Sequence, residues 1–170
     1  MNAQRPDSVP SRHFHSWDRL SEYARRHART LQEQLGYGAE GLVFSTKDTA
    51  IKAYLHAELF EKEKNVYFQL SDREIKSVEG FEVPRFVAHS DELMIVEMSI
   101  VSPPYILDFA GAYLDRKPPF SDEELEDWEQ EKIEQFGDRW PEVCSALATL
   151  RGQGIYLSDV KPGNITFADD

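Results

Sequence analysis

Gly36-Tyr37-Gly38-Ala39-Glu40-Gly41 is a G-x-G-x-x-G run. Such a run binds a dinucleotide when a strand precedes it and a helix follows it. Here two β-type runs follow instead, Gly41 to Ser45 and Ala50 to Tyr54, joined at Lys47-Asp48 as a hairpin. The dinucleotide reading therefore fails on context, and a glycine hairpin folded over phosphates fits in its place. Without Cβ atoms the backbone can come close to an oligophosphate and turn its N–H groups to the oxygens. Lys52 lies in the middle of the second run. It is either an ordinary surface lysine or one that reaches those phosphates. Glu63 shares a helical stripe with Phe60, Tyr67 and Leu70, at offsets of three and four. An unpaired buried carboxylate is costly, so Glu63 is either solvated at the rim of the stripe or paired, and Lys52 is the natural partner.

A second constellation lies far along the chain, at Asp159-Val160-Lys161-Pro162-Gly163-Asn164. Asp, Pro, Gly and Asn are the residues of plain turns. The same set also suits phosphoryl transfer: Asp159 to take a proton from an acceptor hydroxyl, Lys161 to neutralise phosphate charge, Asn164 to offer an amide oxygen to Mg²⁺. The one cysteine, Cys144, excludes an internal disulfide framework and a zinc cluster and reads as a buried, inert thiol.

Several elements must position these groups. Residues 1–15 read as a polar, flexible leader, and His13 and His15 have no thiol or carboxylate spaced to complete a metal site. A helix is expected from Ser16, with Trp17, Leu20, Tyr23, Ala24 and Leu31 on one face and Arg19, Arg25, Arg26 and Arg29 on the other. Residues 56–70 read as a helix, and Arg85 to His89 with Leu93 to Met98 as a β pair about Ser90-Asp91-Glu92. Residues 99–116 read as irregular or briefly helical. Ser121-Asp122-Glu123-Glu124 is a capping box that opens a helix to about Gln135. A further helix is expected from Trp140 to Arg151, closed at Gly152 or Gly154. Two short apolar runs, Ile155 to Leu157 and Ile165 to Phe167, flank the polar turn that holds Asp159.

The chain has 170 residues, 41% of them hydrophobic and 29% charged, which suits one globular domain and leaves no reason to expect disorder. Its net charge of −12 opposes nucleic-acid binding, which needs a basic face. From Ser121 to Asp138, nine acids stand against Lys132 alone, a net −8 that is either a solvated face or a dock for a basic partner. No apolar run has the roughly 20 residues of a membrane helix, and the start has no secretory h-region. A cytoplasmic, membrane-free protein is expected.

Together these features resemble the protein-kinase-like superfamily over Leu35 to Phe167. The resemblance implies an α+β fold with a small antiparallel-sheet lobe bearing one key helix (within 16–98) and a minimal helical lobe (99–170), together one domain from 16 to 170. It implies ATP and Mg²⁺ as cofactors. Gly36, Gly38, Gly41 and Val43 would line the nucleotide, Lys52 would hold its phosphates, and Glu63 would position Lys52. Glu97 and Met98 would lie at the hinge that binds adenine through its backbone. Asp159, Lys161 and Asn164 would form the catalytic loop. The pattern differs at three places. Leu157-Ser158-Asp159 stands where the family has H-R-D, so control through a phosphorylated activation segment is not expected. No D-F-G follows Asn164, so Asp169 and Asp170 read either as a charged, frayed end or as the source of the second metal carboxylate. Lysine at 161, where small-molecule kinases of the aminoglycoside and choline type have histidine, favours a protein hydroxyl as acceptor. The other readings are a pseudokinase, serving as a nucleotide sensor or interaction module, and a small-molecule phosphotransferase.

Overall fold

The structure, a computed structural model, describes residues 4–168. In chain order the elements are α1 (Phe14–Arg26), β1 (Gln34–Tyr37), β2 (Gly41–Ser45), β3 (Thr49–Tyr54), α2 (Ala57–Asp72), β4 (Ser77–Val78), β5 (Phe81–Glu82), β6 (Phe86–Ser90), β7 (Ile95–Ser99), β8 (Tyr105–Ile106), β9 (Tyr113–Leu114), α3 (Asp122–Phe136), α4 (Trp140–Gly152), β10 (Ile155–Tyr156) and β11 (Ile165–Thr166). The fold is α+β. It divides into two compact units, Met1–Phe68 with Arg85–Ile100, and Gln69–Pro84 with Val101–Asp170. Residues 69–84, the last turn of α2 with β4 and β5, group with the helical half.

The first unit is built on a five-stranded antiparallel sheet in the order β1-β2-β3-β7-β6. All six residues of β3 are buried, because both faces of the sheet are covered. Trp17, Leu20 and Tyr23 of α1 pack with Leu42, Phe44 and Ile51 on one face, with the Trp17 and Phe44 rings 5.1 Å apart edge-on. Burying such side chains stabilises by about 1.5–3 kcal/mol each. On the other face the Tyr54 ring meets Phe60 of α2 at 5.7 Å.

Residues 4–13 do not form the loose leader expected. Val9 is buried in the α1 cluster, and Ser11–His13 form a 3₁₀ turn leading into α1. His13 is fully buried, accepts a hydrogen bond from Arg12 Nε at 3.2 Å, and sets its ring edge-on to Tyr37. It belongs to the core. Helix α1 stops at Arg26, so Leu31 lies beyond it. Arg19, expected on the solvent side, instead donates to the carbonyls of Leu93 (3.0 Å) and Tyr54 (2.5 Å).

The second unit holds α3, α4, a four-stranded sheet β11-β8-β5-β4 and the pair β10-β9. The capping box forms as expected: Ser121 Oγ accepts from the Glu124 N–H, and Glu124 accepts from the Ser121 N–H at 2.7 Å. Lys132, the one base of α3, is buried and paired with Glu131 at 2.9 Å, so the charges that the helix shows to solvent are acidic. Cys144 is partly buried, and burial together with Glu129 pushes its thiol up, as suits an inert residue. No helix among the described residues is long and apolar enough to cross a membrane.

Candidate functional site

In the first unit, alternation along β3 sends Ile51 and Ala53 to the α1 face and Lys52 and Tyr54 to the α2 face. Lys52 Nζ lies 2.7 Å from Glu63 Oε2, with side chains 9% and 1% exposed. Glu63 Oε1 lies 3.3 Å from the Tyr67 hydroxyl, one turn along α2. The stripe reading of Glu63 is therefore the geometry observed, and its partner is Lys52. The ammonium also stands 4.9 Å over the Tyr54 ring and 3.2 Å from Glu40 Oε2.

Glu40 lies in the glycine turn between β1 and β2. Register pairs Tyr37 with Leu42 and Gly36 with Val43, so the hairpin is closed by the Gly38 N–H donating to the Gly41 carbonyl at 3.0 Å. The three glycines differ in what requires them. A Cβ at Gly41 would come within 2.2 Å of the Ala53 carbonyl oxygen, so strand packing demands glycine there. At Gly36 and Gly38 an added Cβ would meet nothing within 4 Å, and neither has a positive φ. Packing and backbone conformation within the fold place no demand for glycine at these two positions.

Glu97 and Met98 do not take the expected place. Both lie inside β7, between β3 and β6: Glu97 pairs with Ile51 and Ala88, and Met98 with Ala50 and Phe86. In a strand with neighbours on both sides the backbone groups serve the ladder, so they are not a hinge for adenine. Glu97 faces α1, opposite to Lys52. Its carboxylate accepts from the Tyr23 hydroxyl (2.9 Å) and Thr49 Oγ1 (2.7 Å) and pairs with Arg29 Nε (2.9 Å). Burial and the nearby Glu97 push the Tyr23 phenol up. Met98 shares the Lys52 face, its sulfur 3.1 Å from the Tyr67 hydroxyl.

In the second unit, the loop from Asp159 to Asn164 is anchored by the buried Val160 and by the pairing of β11 with β8, Ile165 opposite Ile106. Asn164, buried at 8% exposure, donates from Nδ2 to the Asp159 carbonyl (2.9 Å) and to Asp159 Oδ2 (3.0 Å). Lys161 Nζ meets Asp159 Oδ2 at 2.5 Å. The three loop residues thus come together. Ser158, where the family carries arginine, donates to the Gly111 carbonyl at 2.7 Å and so ties the loop to residues 108–112.

That segment supplies a carboxylate the sequence reading missed. The Leu107 N–H donates to the Asn164 carbonyl at 2.7 Å, which sets Asp108 beside the loop. One carboxylate oxygen of Asp108 and one of Asp159 lie within 4.8 Å of each other. Asp108 has φ +66, a left-handed conformation that Asp adopts more readily than most residues. An aspartate between an apolar run and Phe-Ala-Gly is the only sequence signal of it. Asp169 and Asp170, candidate metal ligands from the sequence, lie outside the described residues.

No family model matches the chain, and no curated protein matches it. Among solved structures, it is similar in part to the streptomycin–ATP–APH(2″)-IIa ternary complex, with a TM-score of 0.43 and 13% identity over 61% of this chain and 31% of that one. It is likewise similar to the gentamicin–APH(2″)-IIa complex, with a TM-score of 0.40 and 15% identity over the same shares. The chain spans about a third of the length of these proteins.

Proposed function

We propose that this chain is a kinase-like protein that binds ATP with Mg²⁺ and transfers its γ-phosphate to a hydroxyl, with protein serine or threonine as the acceptor. The observation that carries the reading is the buried Lys52–Glu63 pair, held between a central strand and the stripe of a helix. Desolvating two charges is expensive, and apolar residues of similar size would serve stability as well or better. A chain that keeps the pair beneath a glycine hairpin has a use for an oriented ammonium. Gly36 and Gly38 support the same reading, since open backbone there suits close approach by phosphate oxygens.

The donor set in the second unit fits a hard divalent cation. Asp108 and Asp159 offer carboxylate oxygens, and Asn164, whose Nδ2 bonds are both spent on Asp159, offers Oδ1. Bound there, Mg²⁺ would neutralise phosphate charge. Asp159 takes the proton of the acceptor hydroxyl, Lys161 balances negative charge beside it, and Asn164 keeps Asp159 oriented. The acidic surface of α3 favours an acceptor set in basic sequence.

The test is thermal stabilisation by ATP with and without Mg²⁺, followed by transfer from γ-labelled ATP. Wild type is stabilised, Lys52→Ala is not, and Asp159→Asn keeps the stabilisation that ATP gives without Mg²⁺ but transfers nothing. Stabilisation of Lys52→Ala equal to wild type would remove Lys52 from the site. Binding without transfer in wild type would favour the pseudokinase reading, to which the second carboxylate on Lys52 also lends support.

A further inference from the structure

Lys52 carries one positive charge and holds two carboxylates, Glu63 at 2.7 Å and Glu40 at 3.2 Å. The two are not equivalent. Glu63 is buried to 1% exposure, comes from a helix, and is braced by Tyr67. Glu40 is 26% exposed and comes from the glycine turn. A single lysine needs one buried counter-charge, and Glu63 supplies it. The second leaves the trio at a net −1, which repels an incoming phosphate.

The backbone beneath Glu40 is held by hydrogen bonds, and its carboxylate is the more exposed of the two that meet Lys52. The Glu40 carbonyl accepts from the Leu55 N–H at 2.8 Å, and the Gly38–Gly41 bond closes the turn.

We infer that Glu40 is an internal competitor for nucleotide: its carboxylate occupies the ammonium of Lys52, and a phosphate oxygen must displace it to bind. The glycine turn then carries both the backbone that suits phosphates and the group that keeps them off. This rests on the reading of Lys52 as a phosphate ligand.

The test is calorimetric titration of the full chain with ATP, with and without Mg²⁺. It uses wild type, Glu40→Gln, Glu58→Gln and Lys52→Met. Glu58, at the exposed start of α2 and paired with Lys62, gives the same charge change away from Lys52. An exposed or half-exposed ion pair is worth little, so Glu40→Gln should tighten ATP by about two- to fivefold. Glu58→Gln should match wild type, and Lys52→Met should not bind. Equal or weaker binding by Glu40→Gln, while wild type binds and Lys52→Met does not, overturns the competitor role alone and makes Glu40 a ligand-holding or structural residue. Equal tightening in Glu58→Gln also overturns it, as an effect of overall charge. Absence of binding in wild type and Glu40→Gln alike overturns the nucleotide reading as well.

Discussion

A glutamate on the apolar stripe of a helix must have a partner or reach water, and Glu63 has the partner. Removing one member of a buried ion pair strands the other charge, at about 3–5 kcal/mol. Glu63→Ala leaves Lys52 with the partly exposed Glu40 as a counter-charge, so it should lower the unfolding free energy by up to about that amount, read from urea denaturation. A loss below about 1 kcal/mol would mean that Glu40 or water satisfies Lys52 in the variant. For the metal donor set, Asp108→Asn should leave Mg²⁺-free ATP stabilisation unchanged and remove most of the increment that Mg²⁺ adds, measured by thermal shift. An undiminished increment would take Asp108 out of the set. Residue types and spacing were enough to pair Lys52 with Glu63, because both sit mid-pattern, one in a strand and one on the apolar stripe of a helix. They carry no strand register, and register decides which way Glu97 points. Glu97 pairs with Ile51 and Val96 with Lys52, and a shift of one residue decides which face of the sheet a side chain joins. That register is set between strands over forty residues apart. Asp108 was hidden for a related reason: its place beside Asn164 comes from the β8–β11 pairing, two strands of two residues each.

At the level of elements, the longer helices and the two hairpins of the main sheet were legible, because 3.6- and 2-residue periods need several residues to show. Strands β4, β5, β8, β9, β10 and β11 have two residues each, below the length at which alternation carries information. Helix α3 was legible through its chemistry as well as its period. The Ser121 N–H lowers the Glu124 carboxyl below the ordinary glutamate value, so the charged form is favoured in the folded state. Stability from this bond is fully present above the ordinary glutamate pKa and is lost as pH falls through the depressed folded value. Ser121→Ala should cost α3 about 1 kcal/mol, seen as faster amide exchange in its first turn. In Glu124→Gln the first turn should fray less steeply with acid than in wild type. A wild-type first turn indifferent to pH would show that the box is not formed in solution.

At the scale of the whole molecule, a net charge of −12 on 170 residues opposes compaction by self-repulsion. Screening lengths shrink to a few ångströms at high salt, so the melting temperature should rise between 0.05 and 0.5 M NaCl by about 2–4 °C, as for roughly 1 kcal/mol in a chain of this size. A fall would mean that pairs such as Lys64 with Asp91 and Arg26 with Glu92 outweigh the repulsion. The recognisable chemistry runs from Leu35 to Phe167, yet the foldable polypeptide does not begin there. Tyr23 and Arg29 are two of the three residues holding the Glu97 carboxylate, and Trp17 and Leu20 cover the strands on the same side. A chain shortened to start at Leu35 would keep every residue assigned a chemical role and expose a stranded charge in the middle of its sheet. It should come from cells as aggregate, while the chain from residue 4 onward stays in solution. For this protein the boundary of the motif and the boundary of folding autonomy are different places, and the thirty residues between them determine whether the motif can be studied at all.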